Sequence, residues 1–327
     1  MTFYRTARYS NVVNALINAA RSGKAVTVFM ELQARFDEEA NIQLTGKFKD
    51  EGVKVIQAIP GYKVHSKLIL VKRREEEGYV NYANISTGNF NESTAKLYAD
   101  DALFTSDPGI TSDVDRVFQL FEERYSQPHL NQLIIAPFNK RGFFLGLLDK
   151  EIENAHAGKE AWAIIKLNNI TDQPIAEKLY EASKAGVKLT LIVRSICVVI
   201  PQIEGLSENI EAFSIVDRFL EHSRVLVFAN AGHPKYFITS ADWMPRNFDN
   251  RIEATCPILD KGIQKELLAM LQIQMQDNKK ARIISKTNPN QYRQTDGEEM
   301  IRSQVEIYNY LKKKHYKKEK SVMKEDI

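Results

Sequence analysis

One pattern occurs twice in this chain, and that repetition limits the folds open to it more than any other feature. A helix-forming stretch ends at a glycine, an apolar stretch follows, and an arginine comes after it, from Gly23 to Arg35 and again from Gly186 to Arg194. A His-Ser-basic triplet lies 30 residues beyond the first arginine and 28 beyond the second: His65-Ser66-Lys67 and His222-Ser223-Arg224. A cluster of hydroxyls and amides follows each triplet, Thr87-Gly88-Asn89-Phe90-Asn91 and Thr239-Ser240-Ala241-Asp242. A period this long belongs to a duplicated domain, not to a short-repeat solenoid. With 327 residues, each copy has enough chain to bury a core of its own.

Local patterning agrees. Ser10 is placed to cap a helix with Val13, Leu16, Ile17 and Ala20 on its apolar face, and Gly23 is placed to end it. Residues 25–30 read as a buried strand, 37–51 as a polar helix stopped by Gly52, and 53–56, 64–71 and 79–85 as further strands. The second half gives strands at 133–136, 161–167, 187–193, 224–228 and 236–239, a helix at 142–155 and another from Pro174 to Gly186. Such alternation predicts an α/β fold in two related domains. Gln127-Pro128 is the natural boundary, giving units of residues 1–128 and 129–290. A polar break at 288–294 sets off residues 291–327 as a C-terminal helix with a basic tail.

The net charge of +3 conceals a near-neutral body. Residues 312–320 hold six Lys and one Glu, a surplus of +5, so the remainder sums to −2. That argues against a broad nucleic-acid-binding face and leaves any polyanion to a few focused cations. The tail itself reads as a solvated helix end. No apolar run reaches the roughly 20 residues that span a bilayer, and the opening MTFYRTARYS lacks the design of a secretory signal. Cys197 and Cys256, each in an apolar stretch, read as buried thiols of a reducing cytoplasm. Neither G-x-x-x-x-G-K-[ST] nor G-x-G-x-x-G occurs, and no zinc-ligand spacing is present.

On a strand, residues two apart face the same side, so His65 and Lys67 project together. A neutral imidazole can attack phosphorus while an ammonium holds the oxygens that gather charge. A single His-x-Lys is better read as the exposed polar face of an edge strand. Two on equivalent strands would meet across a pseudo-twofold interface, one attacking and the other handling the leaving group's proton. Arg194 leaves the carboxyl end of a strand, where open α/β sheets place ligands, and Arg5 has the same position on a first strand. Arg35 follows another strand beside an acidic helix start. Each could be a surface ion-pair residue; together they would clamp a triphosphate or a longer polyanion. Asn89 and Asn91 join the phosphate-binding candidates. Tyr98 either stacks on a base or is a half-buried helix tyrosine.

Longer runs resemble the type-1 polyphosphate kinase family nearly end to end. They are Glu31-Leu32-Gln33-Ala34-Arg35-Phe36-Asp37-Glu38-Glu39-Ala40-Asn41, His65-Ser66-Lys67, Thr87-Gly88-Asn89-Phe90-Asn91-Glu92, Ser214-Ile215-Val216-Asp217-Arg218-Phe219-Leu220-Glu221-His222 and Ser240-Ala241-Asp242-Trp243-Met244. The resemblance implies two phospholipase-D-like α/β/α domains. It implies that His65, with Lys67 and His222 as catalytic partners, takes the γ-phosphoryl group of ATP and passes it reversibly to polyphosphate. Tyr98, Arg194 and His222 would contact the nucleotide, and Arg5 and Arg35 belong with phosphate and Mg²⁺. Arginine cannot ligate a cation, so those two would clamp the phosphates that carry the ion. The implied partners are ATP, ADP and inorganic polyphosphate, with no nucleic acid. Any homo-oligomer would form through upstream domains. The expected location is the cytoplasm, with peripheral membrane association left open.

Phospholipase-D hydrolases carry H-x-K-x4-D; here the Asp positions hold Lys72 and Ala229, and the second Lys is Arg224. The network orienting the histidines is therefore expected to be incomplete, which weakens a water-using phosphodiesterase as the alternative. A non-catalytic polyphosphate- or nucleotide-binding module is a third reading, needing the arginines but no paired histidines. The family has two further domains before its catalytic half. Arg5, near the start of this chain, is accordingly expected to be poorly tethered, and synthesis of long polymer to be weak.

Overall fold

The structure is a computed structural model that describes residues 1–57, 59–123, 128–288, 290–293 and 299–325, with side chains to residue 314. Gln127 of the expected boundary, Pro289 and Gln294 of the polar break, and the tail side chains from residue 315 onward lie outside the described residues.

Helices begin and end where local chemistry places them. The Ser10 hydroxyl accepts the Val13 amide at 3.2 Å to start the helix Asn11–Arg21, and Gly23 leaves it at φ +79°. Its counterpart Gln173–Lys184 starts under an Asp172 cap, with Pro174 in its first turn, and exits through Gly186 at φ +93°. Each delivers the chain to a parallel strand, Thr27–Met30 and Lys188–Val193.

The sheets repeat one order. In the second half Ile210–Ile215, Lys188–Val193, Trp162–Leu167, Val225–Phe228, Lys235–Thr239 and Arg251–Pro257 lie side by side. The first half has Lys54–Gln57, Thr27–Met30 and Thr2–Phe3 in one three-stranded sheet, and Lys67–Glu75, Gly78–Ser86 and Ala102–Thr105 in another. Thr2 joins these two. Its hydroxyl donates to Ser66 O at 2.8 Å and accepts the Leu68 amide at 3.0 Å, bridging where the second half has an ordinary ladder.

Period-two alternation sorts the strand side chains into cores. Val28 and Met30 pack with Val13, Ile17 and Phe48 against the outer helices of the first half, while Leu226 and Phe228 pack with Phe144, Leu179 and Trp243 in the second. The intervening residues, Phe29 in one half and Val225 and Val227 in the other, enter a common core with Val114 and Phe121 of helix Pro108–Glu123 and Leu267 and Leu271 of helix Lys261–Met275. One apolar interior thus spans both halves and fixes their relation. Among the described residues no helix is long and apolar enough to cross a membrane. Both cysteines are free thiols, and burial raises both, Cys197 to about 11.

Several expectations change. The triplets do not lie on single strands: His65 and Ser66 sit between Lys63–Val64 and Lys67–Glu75, and His222 to Arg224 between Leu220–Glu221 and Val225–Phe228. Tyr98 belongs to the short strand Tyr98–Ala99 and not to a helix. Arg35 is not the counterpart of Arg194. The Arg194 amide donates to Leu167 O at 3.2 Å and the Glu31 amide to Phe3 O at 2.9 Å, so the matching position in the first half is Glu31. Arg35 stands four residues further, in a turn. The strand Arg251–Pro257 was not legible as one.

Candidate active site

The two halves exchange strands at their interface. Lys63–Val64 of the first half pairs in parallel with Arg251–Ile252 of the second, and the His65 and Ser66 amides both donate to Ile252 O at 2.9 Å. Reciprocally, Leu220–Glu221 pairs with Tyr98–Ala99, and the His222 and Ser223 amides donate to Ala99 O at 3.1 and 2.8 Å. In each case the next residue on the receiving strand is an acid. Glu253 oxygens lie 2.9 and 3.0 Å from His65 Nδ1, and Asp100 oxygens lie 2.8 and 3.0 Å from His222 Nδ1. Each histidine is therefore oriented by a carboxylate from the opposite half.

This corrects the expectation of an incomplete orienting network. Lys72 and Ala229 do occupy the two Asp positions; Lys72 pairs with Asp115 at 2.8 Å and Ala229 is buried. The orienting acids come instead from across the interface. Glu253 is fully buried and is held by Ser240 Oγ at 2.5 Å and Asn247 Nδ2 at 2.6 Å. Thr87 Oγ1 donates to Asp100 at 2.6 Å.

The basic members repeat as well. Lys67 Nζ donates back to His65 O, and Arg224 Nη1 to His222 O at 3.2 Å. Arg224 also reaches Asp242 at 3.1 Å and Thr87 O at 3.0 Å, tying the hydroxyl clusters of both halves together. Tyr4 meets the His65 ring edge-on at 4.8 Å, and the Tyr98 ring lies 5.1 Å from His222. Arg194 is half-buried, with Nε on Asn168 Oδ1 at 2.9 Å. Asn168 also donates to His222 O at 3.3 Å, linking the two, and burial lowers the guanidinium, with Arg224 adding to the effect and Asp242, Tyr98 and Asp100 opposing it.

Arg5 and Arg35 follow the first two strands at the same end of the first sheet. Arg5 pairs with Asp37 at 2.9 Å and donates to Arg35 O at 3.0 Å, whereas the exposed Arg35 guanidinium lies over the Phe36 ring at 4.8 Å. Asn91 caps the helix Glu92–Ala95, its Oδ1 accepting the Ser93 and Thr94 amides at 3.0 Å, so that oxygen is committed to the fold. Asn89 Oδ1 is buried without a partner. Sequence reasoning missed Glu253, Asp100, Arg251 and the buried Lys140. A signal existed for the acids: Asp100 follows Thr87 by 13 residues and Glu253 follows Thr239 by 14.

Charge states follow from burial. Desolvation pushes His65 down to about 3, with Lys67 and Arg251 adding to the effect and Glu253 opposing it. Burial also lowers His222, helped by Arg224 and Lys67 and opposed by Asp100. Lys67 thus contributes to lowering both imidazoles. Burial likewise lowers Lys67 strongly, and lowers Lys140 to about 7. Burial alone would raise Glu253, but His65, Lys67 and Lys140 hold it well below the usual carboxylate range. Both histidines are neutral near pH 7, with Nδ1–H on a carboxylate and Nε2 open for chemistry.

The shift of His65 predicts an acid sensitivity. Unfolded, its imidazole titrates near 6.5; folded, near 3. The unfolded chain binds more protons between those values, so this contribution is complete above pH 6.5 and declines as pH falls toward 3. Glu253, depressed in the fold, loses its contribution in the same direction. Between pH 7 and pH 5, thermal unfolding should show the unchanged protein losing about 2 kcal/mol more than His65→Gln. Parallel pH profiles would contradict a buried neutral histidine.

Gly88 gives a second prediction. A Cβ there would stand 2.1 Å from Asp100 Oδ2 and 2.3 Å from its Cγ. Gly88→Ala must therefore displace the acid that orients His222, at a cost of roughly 1–3 kcal/mol. Ring ¹⁵N spectra should show His222 released from a fixed tautomer; an unchanged spectrum would mean that Asp100 has room to spare.

Comparison with known proteins identifies the family. Residues 1–127 match the model of polyphosphate kinase C-terminal domain 1, and residues 133–304 that of polyphosphate kinase C-terminal domain 2. The polyphosphate kinase of Vibrio vulnificus (strain YJ016) is 49% identical over 319 residues, covering 97% of this chain and 46% of that protein. That of Escherichia coli (strain K12) is 45% identical over 312 residues, 95% of this chain and 45% of the relative. The crystal structure of polyphosphate kinase from Porphyromonas gingivalis superposes with a TM-score of 0.89 at 40% identity, covering 97% of this chain and 48% of that one. The chain spans about half the length of these relatives. It belongs to the polyphosphate kinase family.

Proposed function

We propose that the chain transfers the γ-phosphoryl group of ATP to polyphosphate, and back to ADP, through a phosphohistidine on His65. The reciprocal His–carboxylate exchange is the observation that supports this best. Glu253 accepts the hydrogen bond from Nδ1–H, which leaves the Nε2 lone pair of a neutral imidazole as the nucleophile. As Nε2–P forms, the bond from phosphorus to the bridging oxygen breaks and ADP departs with that electron pair. Attack by a terminal polyphosphate oxygen then releases the imidazole.

His222 has the complementary part. A bound polyanion favours its protonated form, which donates from Nε2 to a phosphate oxygen while Nδ1–H stays on Asp100. Lys67, Arg224 and Arg194 stabilise the charge that spreads over the transferring group. Tyr98 lines the nucleotide side beside His222, and Arg5, Arg35 and the Asn89–Asn91 segment hold phosphates. Mg²⁺ fits as an ion carried by those phosphates: among the described residues no group of three His, Cys, Asp or Glu side chains could hold a metal. When bound it would neutralise phosphate charge.

A water-using phosphodiesterase is the second reading, favoured by the same pairs, since an oriented histidine serves transfer to water equally well. Incubation with γ-labelled ATP, Mg²⁺ and a polyphosphate primer separates the cases. Label should appear on the protein and then in polymer. Release only as free phosphate would favour hydrolysis, and tight ATP binding with no covalent label would favour a binding module.

A further inference from the structure

Beneath His222 lies a buried ionic network that transfer chemistry does not use. Lys166, on strand Trp162–Leu167, donates from Nζ to Glu221 Oε2 at 2.7 Å and to Ser223 Oγ at 2.6 Å. These are the residues immediately before and after His222. All three are nearly inaccessible, Lys166 and Glu221 at 5% and Ser223 at 6% exposure. Burial would raise the Glu221 carboxyl, but Lys166 and the Gln304 and Gln274 amides, at 2.8 and 2.9 Å, hold it below its ordinary value.

Among the described residues the first half has no such device. Strand register matches Phe3 with Leu167, so Thr2 stands where Lys166 does, and its hydroxyl holds the backbone of Ser66 and Leu68 without charge. Val64 takes the place of Glu221, and the buried Ser66 hydroxyl has no partner. His65 depends instead on the densely bonded Glu253. His222, which like His65 follows a strand of two residues, faces an acid with fewer partners.

We propose that Lys166 is a positioning residue for His222, gripping the residues on either side of it so that Nδ1 stays on Asp100 and Nε2 stays aimed at the reacting group. Only the kinetic part rests on the transfer reading. The test uses the full chain with ¹⁵N-labelled histidine, the His222 signals being assigned with His222→Gln. In the unchanged protein His222 should show a single Nδ1–H tautomer. Lys166→Met/Glu221→Met replaces a buried ion pair by apolar side chains, a change that such sites tolerate. It is expected to stay folded, to show a mixture of His222 tautomers, and to label from γ-labelled ATP about 10- to 100-fold more slowly. A folded double variant with a single Nδ1–H tautomer overturns the proposal. Should that variant fail to fold, Ser223→Ala decides: it removes one grip and keeps the ion pair, and should populate the second tautomer to a smaller extent. A single tautomer there overturns the proposal instead. The tautomer is read without ATP, so a lack of labelling in every form, the unchanged protein included, would count against transfer and leave the judgement on Lys166 intact.

Discussion

Covalent labelling by γ-labelled ATP is expected to vanish in His65→Ala and to slow by roughly 10²- to 10⁴-fold in His222→Ala. The difference follows from the two pairs. His65 is buried against Glu253 and pushed down to about 3, so it remains an unprotonated nucleophile even beside polyanionic substrate. His222 is lowered as well, but its carboxylate partner Asp100 is less densely bonded than Glu253, and a bound phosphate favours its protonated form. A phosphoramidate on His65 should be lost in mild acid and survive base, the reverse of a phosphoserine ester. Equal labelling of the two single variants would contradict the assigned roles.

Glu253→Gln should be nearly as damaging, slowing labelling on the order of 10²- to 10⁴-fold, the scale set when an acid that orients a catalytic histidine becomes an amide. A glutamine keeps the volume but can donate to Nδ1, which would place the ring proton on Nε2 and remove the lone pair that attacks. It also leaves Lys67 and Lys140 without the charge that compensates them. Asp100→Asn makes the same change at His222 and should cost no more than His222→Ala. Single-turnover labelling ranks the four variants, and a larger loss in Asp100→Asn than in Glu253→Gln would reverse the assignment of nucleophile and acid.

Much of the fold was legible because helix caps, glycine stops and apolar runs are local. Ser10, Gly23, Asp172 and Gly186 act where their chemistry predicts. The duplication was legible too, since it repeats residues at long spacing. What escaped was anything made between the halves. Glu253 sits in Arg251–Pro257, a segment not legible as a strand in the sequence, and its partner is 188 residues away. Asp100, beside Asp101, lies outside the repeated motifs. An absent Asp at Lys72 and Ala229 implied disordered histidines only while each half was taken to orient its own. Equal spacing misled at Arg35, because a turn inserted after Met30 shifts the residue count without shifting the strand.

The strand exchange carries a consequence for how such a chain could arise. A lone unit would hold a histidine without its carboxylate and a carboxylate without its histidine. Two identical units related by a twofold axis would complete both pairs at once, because an isologous contact repeats every interaction it makes. Fusing such a homodimer end to end would have preserved both pairs. It would also have released the copies from identity, so that one could keep glutamate and lysine around its histidine while the other drifted to aspartate and arginine. A nucleophile and a proton carrier with different surroundings require that freedom, which a symmetric dimer of one gene product cannot have.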